Sequence, residues 1–107
     1  MFYKEGEVMQ CYQNINLNLY RIFYCVAKEK SITKASKKLF ISQPAISKSL
    51  KKLEEDLNTV LFIRNLNGVS LTEQGKVLYF YVEKAYKNIA LAEQALNVNA
   101  TIDYNTL

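Results

Sequence analysis

Apolar positions recur along the chain with periods that change from block to block. Leu19, Ile22, Phe23, Val26 and Ala27 stand at i, i+3, i+4, i+7 and i+8, the stripe of an amphipathic helix. Asn16 or Asn18 is placed to cap its start, and Lys30 lies at its end, where the helix dipole favours cations. Ser31 or Thr33 caps the next helix. Ile32, Ala35 and Leu39 form its apolar face, Ser36 takes the small close-packing position, and Lys34, Lys37 and Lys38 point the other way. Phe40 and Ile41 then lead to Ser42, the cap of a third helix, SQPAISKSLKKLEEDL. There Ile46, Leu50, Leu53 and Leu57 repeat at spacings of 4, 3 and 4 and share one narrow sector. Pro44 is tolerated because a first-turn amide has no intrahelical acceptor to lose. Two short helices separated by about three residues have helix-turn-helix spacing.

The period then shortens. Leu61–Arg64 and Val69–Leu71 are β-prone and flank Asn65-Leu66-Asn67-Gly68. Asn-Gly is a hairpin signal, because both residues accept positive φ. The expectation is a two-stranded ribbon that must pack on the helices to be stable. Thr72 caps a long helix with Glu73 in its first turn. Gly75 is unfavourable there by about 1 kcal/mol, which a close contact with the ribbon would explain. Leu78, Val82, Ala85, Ile89, Ala92 and Leu96 follow as a heptad seam. The seam could pack on its own domain. A partner is the preferred reading, because a rod of ~37 Å (Glu73 to Asn97) outruns so small a core. Val77, Phe80 and Tyr81 make a second apolar edge, expected to lie on the small domain. Residues 1–15 lack a period and are expected to be a flexible extension. The organisation is therefore 1–15 extension, 16–72 globular domain, 73–97 linker and dimerisation helix, and 98–107 frayed end.

Charge sharpens this outline. The 107 residues carry a net +4 and a pI near 9.0. Lys28 to Lys52 contains eight lysines and one acid, Glu29, whereas from Glu54 onward the acids offset the bases. Two cysteines, Cys11 and Cys25, and no histidine leave no zinc ligand set. With no histidine, no evident carboxylate pair in a pocket and no glycine-rich phosphate loop, nothing supports an enzyme, and no cofactor is expected. No apolar run of ~18 residues and no signal-peptide core occur, so the reading is a soluble cytoplasmic protein that does not enter a membrane.

The third helix concentrates the functional question. Its lysines come early and Glu54-Glu55-Asp56 come late. Lying full length on DNA would press those acids on phosphates. Entering end-on keeps them ~15 Å back and offers the positive end of the dipole. Helix-turn-helix proteins dock their second helix in the major groove in this way. Gln43, Pro44, Ser47 and Lys48 are the candidate base readers: an amide for an adenine edge, an apolar ring for a thymine methyl, a hydroxyl, and an ammonium that can reach guanine or, equally, a phosphate. Ser42, Thr33, Lys34, Lys51 and Arg64 are placed to hold phosphates. Ser42 also serves as a plain N-cap and Pro44 as a plain helix initiator. A solvated role suits Lys37, Lys38 and Lys52 at least as well. The three late acids read as a solvated helix end paired with nearby lysines.

The stretch from Leu19 to Gly75 closely resembles the N-terminal domain of LysR-type transcriptional regulators. The pieces that carry the resemblance are LYRIFYCVAKEKSITKASKKLFISQPAISKSLKKLEEDLNTVLFIR and LTEQG. It implies a mainly α, winged helix-turn-helix fold: three helices plus a two-stranded wing, followed by a long linker helix. It further implies sequence-specific binding of partly palindromic double-stranded DNA as a homodimer whose linker helices pair antiparallel. By position, Gln43, Pro44, Ser47 and Lys48 are the groove residues and Arg64 begins the wing. The family wing usually carries an arginine or lysine near its tip. Here asparagines stand instead, and Asn67 is left as the wing's phosphate contact. The family's C-terminal effector-binding domain is expected to be absent, so a small-molecule effector is not expected to bind this chain. The alternative reading is a winged-helix protein-interaction module, or a dominant-negative dimerisation module lacking the effector domain.

Overall fold

A computed structural model describes the backbone of residues 14–106 and side chains of residues 14–97. The segment expected to be a flexible extension lies almost wholly outside the described residues. Helices α1 (Leu17–Glu29), α2 (Ile32–Leu39) and α3 (Gln43–Leu57) precede strands β1 (Phe62–Asn65) and β2 (Gly68–Leu71) and the long helix α4 (Glu73–Thr106). The strands pair antiparallel, with Phe62 opposite Leu71 and Asn65 opposite Gly68. The helical backbone of α4 continues past the Asn97 expected from the heptad seam. Among the described residues no helix is long and apolar enough to cross a membrane.

Local chemistry sets the boundaries. Asn16 Oδ1 accepts from the amides of Asn18 and Leu19, Ser31 Oγ from Lys34, and Ser42 Oγ from Ala45, so each of the first three helices has a side-chain cap. Each ends in a left-handed residue, Lys30, Phe40 or Asn58, whose amide turns back onto the preceding carbonyls. In the turn between α2 and α3, Ser36 Oγ donates to the carbonyl of Ile41 at 2.5 Å. The small side chain at this position thus ties the turn to α2.

The apolar stripes converge as expected. Leu19, Ile22, Phe23, Val26 and Ala27 of α1, Ala35 of α2, and Ile46, Leu50 and Leu53 of α3 form one core with Leu61, Phe62 and Val69 of the ribbon. Leu57 departs from its seam and is 39% exposed, because α3 runs past the core by its last turn. The hairpin differs in detail from its sequence signal. Its two-residue loop is Leu66-Asn67, and among the two signal residues only Gly68 has positive φ, 129°. The Asn65 carboxamide accepts from the Asn67 amide at 3.0 Å and closes the loop instead. A Cβ on Gly68 would stand 2.5 Å from the carbonyl oxygen of Lys30, so the ribbon meets α1 backbone to backbone.

Gly75 has the close contact inferred for it. A Cβ there would fall 2.2 Å from the carbonyl oxygen of Leu61 and 2.9 Å from Leu71 Cδ2. Thr72 caps α4, its Oγ1 accepting from the Gly75 amide at 3.0 Å. One expectation for α4 is overturned. Val77, Phe80 and Tyr81 do not pack on the domain and are 60%, 54% and 62% exposed. The face that does pack is turned away from them: Val82 is buried in the core, and Leu78 and Tyr79 are packed against it.

Candidate nucleic-acid interface

The first two turns of α3 stand clear of the core. Gln43, Pro44 and Lys48 are exposed, and Ser47 is half-buried. Gln43, Ser47 and Lys51 follow one another on successive turns, so an amide, a hydroxyl and an ammonium line one strip of the helix. Ile46, Leu50 and Leu53 lie about a quarter turn round the helix, buried in the core, and anchor α3 with this strip along their flank. Arg64 reaches from β1 to α3, its Nη1 3.5 Å from Ser47 Oγ. The base of the wing and the second turn of α3 therefore share one surface.

Thr33 and Lys34 sit exposed in the first turn of α2, and Ser42 is exposed at the start of α3. The Ser42 hydroxyl oxygen is used as the cap, which leaves its proton available to a phosphate oxygen. Asn67 is exposed in the wing loop. Among the described residues no hydrogen bond joins Thr33, Lys34 or Asn67 to the α3 strip. The structure places all three on the surface.

The lysines divide into two groups. Lys38 Nζ lies 2.8 Å from Glu29, and Lys52 Nζ 2.5 Å from Asp56. The Lys38 hydrogen bond lowers the Glu29 carboxyl pKa, and the same bond raises that of Lys38. The bond to Asp56 likewise raises that of Lys52. Lys34, Lys48 and Lys51 form no ion pair with any described residue, so their charge is available outward.

Glu54 corrects the expectation of a solvated acidic helix end. Its carboxylate Oε2 accepts from the amides of Leu61 at 2.7 Å and Phe62 at 3.3 Å. It is half-buried and fastens the start of β1 to the end of α3. Asp56 does pair with a lysine, and Glu55 is exposed. Two of the three acids at the tail of α3 are thus engaged within the protein, which separates the negative end from the positive one by function as well as by distance.

The proposed pairing seam splits in two. Val82 is 8% exposed within its own core and Leu78 is half-buried, so these two are committed inside the domain. Ala85, Ile89, Ala92 and Leu96 are exposed. Val77 and Tyr81 continue the exposed apolar stripe toward the start of α4, beside a shallow hollow bordered by Leu57 and Leu61.

A tyrosine cluster escaped the sequence reading. The Tyr24 ring of α1 stacks on Tyr79 of α4, with centroids 5.1 Å apart and planes 10° apart, and Tyr86 leans on Tyr24 at 5.0 Å. Tyr79 and Tyr86 share heptad spacing on α4, but only the fold could show that Tyr24 meets both.

Residues 17–76 match the profile of the family described as bacterial regulatory helix-turn-helix protein, lysR family. The chain is 45% identical over 82 residues to the HTH-type transcriptional regulator BudR of Klebsiella aerogenes, covering 77% of this chain and 55% of that protein. It is 44% identical over 75 residues to a probable RuBisCO transcriptional regulator of Phaeodactylum tricornutum, covering 70% of this chain and 24% of the relative. The chain thus spans about half the length of the first and a quarter of the second. Its fold is similar to that of the BenM DNA-binding domain in a complex with catB site 1 DNA, with TM-score 0.71, 34% identity, and coverage of 80% of this chain and 97% of that one. It is also similar to the CbnR DNA-binding domain in a DNA complex, with TM-score 0.68, 26% identity, and coverage of 80% and 99%. With the matched profile spanning more than half of the chain, this protein belongs to the lysR family of bacterial regulatory helix-turn-helix proteins.

Proposed function

We propose that the chain binds double-stranded DNA sequence-specifically as a homodimer and regulates transcription in the cytoplasm. The observation that carries this reading is the outward strip Gln43–Ser47–Lys51 with Pro44 and Lys48, joined at Ser47 by Arg64. The complexes of the BenM and CbnR DNA-binding domains with DNA support it. In this reading α3 enters the major groove by its N-terminal end, and Gln43, Pro44, Ser47 and Lys48 meet base edges. Ser42, Thr33, Lys34, Lys51 and Arg64 hold phosphates, with Asn67 contributing from the wing. Pairing uses the exposed stripe Ala85, Ile89, Ala92 and Leu96, extended by Val77 and Tyr81.

Selection of bound sequences from random duplex DNA tests the proposal. It should return two related half-sites at one preferred spacing. Binding measured by fluorescence anisotropy should then weaken as salt rises, with a log–log slope of about −0.9 per phosphate neutralised. Recovery of no enriched sequence, together with affinity that Gln43→Ala and Ser47→Ala leave unchanged, would refute it and favour a protein-binding module.

A further inference from the structure

We infer that Tyr24, Tyr79, Tyr86 and Glu83 form a positioning cluster that holds α4 at a set angle to the helix-turn-helix unit and thereby selects the spacing between DNA half-sites. The inference rests on the DNA-binding reading for its consequence, but its geometry stands alone. Tyr24 projects from α1 and is covered by two rings of α4, Tyr79 in a near-parallel stack and Tyr86 tilted by 46°. The hydroxyls of Tyr24 and Tyr79 both donate to the same oxygen of Glu83, each at 3.3 Å. Lys87 Nζ stands 3.7 Å from the other Glu83 oxygen, and Lys28 Nζ lies 5.9 Å above the Tyr24 ring. Burial first, then the neighbouring Tyr24 hydroxyl and the Glu83 carboxylate, push the Tyr79 hydroxyl pKa up to about 12, so the donor keeps its proton at any physiological pH.

The position of the cluster gives it leverage. The first turn of α4 is locked where Gly75 meets the Leu61 carbonyl. Tyr79, Val82, Glu83 and Tyr86 supply the second hold. From Lys84 to Asn97 the helix is exposed, so its direction is decided by these two holds. The arm from Glu83 to Asn97 is ~21 Å at 1.5 Å per residue, and a 10° tilt moves its end by roughly 4 Å. That displacement is about one base-pair rise, ~3.4 Å. Two reading units joined through such arms would lose their fixed separation if the cluster loosened.

The test compares the wild-type chain with Tyr24→Leu, Tyr24→Phe and Tyr86→Leu on duplexes carrying one half-site, or two half-sites at a series of spacings. Tyr24→Leu and Tyr86→Leu should flatten a preference of about tenfold for the best spacing to about twofold, tenfold being 1.4 kcal/mol. Single half-site affinity should stay within about twofold of wild type, because no groove contact is touched. Tyr24→Phe, which keeps the ring stack, should retain most of the preference. Tyr86 is the more exposed ring, so its variant stays informative if Tyr24→Leu fails to fold. A second arm needs no DNA: spin labels at Glu55→Cys and Glu93→Cys, with Cys11 and Cys25 replaced, report the angle between α3 and α4. A narrow distance distribution should broaden in Tyr86→Leu. Unchanged spacing preference and an unchanged distribution in the leucine variants would overturn the inference. A wild-type chain that binds no duplex would defeat the DNA reading, and the label distances would then decide the cluster alone.

Discussion

Gly75→Ala sets two opposed effects against each other. Alanine is the better helix former, and in a free helix the change would stabilise by about 1 kcal/mol. Here the new methyl would lie 2.2 Å from the carbonyl oxygen of Leu61 and 2.9 Å from Leu71 Cδ2. The leucine side chain can rotate aside, but the carbonyl cannot. It accepts from the Thr72 amide at 3.0 Å, while Thr72 Oγ1 donates to the Val60 carbonyl at 2.7 Å and accepts from the Gly75 amide at 3.0 Å. A carbon–oxygen contact needs ~3.4 Å, so the ribbon and α4 must part by roughly 1 Å, straining a junction of three hydrogen bonds worth ~1 kcal/mol each. Overpacking of this kind costs about 1–3 kcal/mol, and the weakened bonds add to it. The clash outweighs the propensity gain, and a net loss of about 2 kcal/mol is expected. Urea unfolding followed by far-UV circular dichroism measures it. No tryptophan is present, so helix content is the practical signal. A Gly75→Ala protein as stable as wild type would show that the backbone approach at Leu61 is not a real constraint.

Other consequences follow from the same geometry. Lys34→Ala and Lys51→Ala should each lower the steepness of the salt dependence of duplex binding by about 0.9 for every phosphate no longer neutralised. Lys52→Ala should change it less, because its ammonium is already held by Asp56, so equal slopes for Lys51→Ala and Lys52→Ala would contradict the division of the lysines. Val82→Glu should unfold the domain, since it places a carboxylate in the core, whereas Ile89→Glu should leave a folded monomer. Sedimentation with circular dichroism separates the two, and a folded, monomeric Val82→Glu would return Val82 to the pairing seam. Tyr79 makes alkaline stability sensitive to pH. Its hydroxyl is raised in the fold from 10.0 to about 12, so its contribution is complete below pH 10 and is lost as pH rises through about 12. Tyr79→Phe should blunt that loss in chemical-denaturation curves taken across the interval, and identical pH profiles would refute it.

Much of the fold was legible because it depends on near neighbours in the chain. A stripe at helical spacing, a serine or asparagine cap and a break of about three residues depend on a dozen residues at most. The bounds of α1, α2 and α3 accordingly fall where the apolar periods and caps placed them. The outward placing of Pro44, Lys48 and Lys51 was legible for the same reason: once Ile46, Leu50 and Leu53 turn inward, helical geometry sends these three to the far side.

What needed tertiary structure is everything set by the angle between elements. A heptad seam on α4 states that one face is apolar, but not how the rod is rolled against α1. That roll buries Val82, exposes Val77, Phe80 and Tyr81, and brings Tyr79 and Tyr86 onto Tyr24. Glu54 is the same case in a single residue. On its own helix it is one of three adjacent acids, and only the return of the chain at Leu61 and Phe62 gives it two amides to accept from. Periodicity constrains a helix along its axis, whereas rotation about that axis is chosen by the partner surface, and partners distant in sequence leave no local mark.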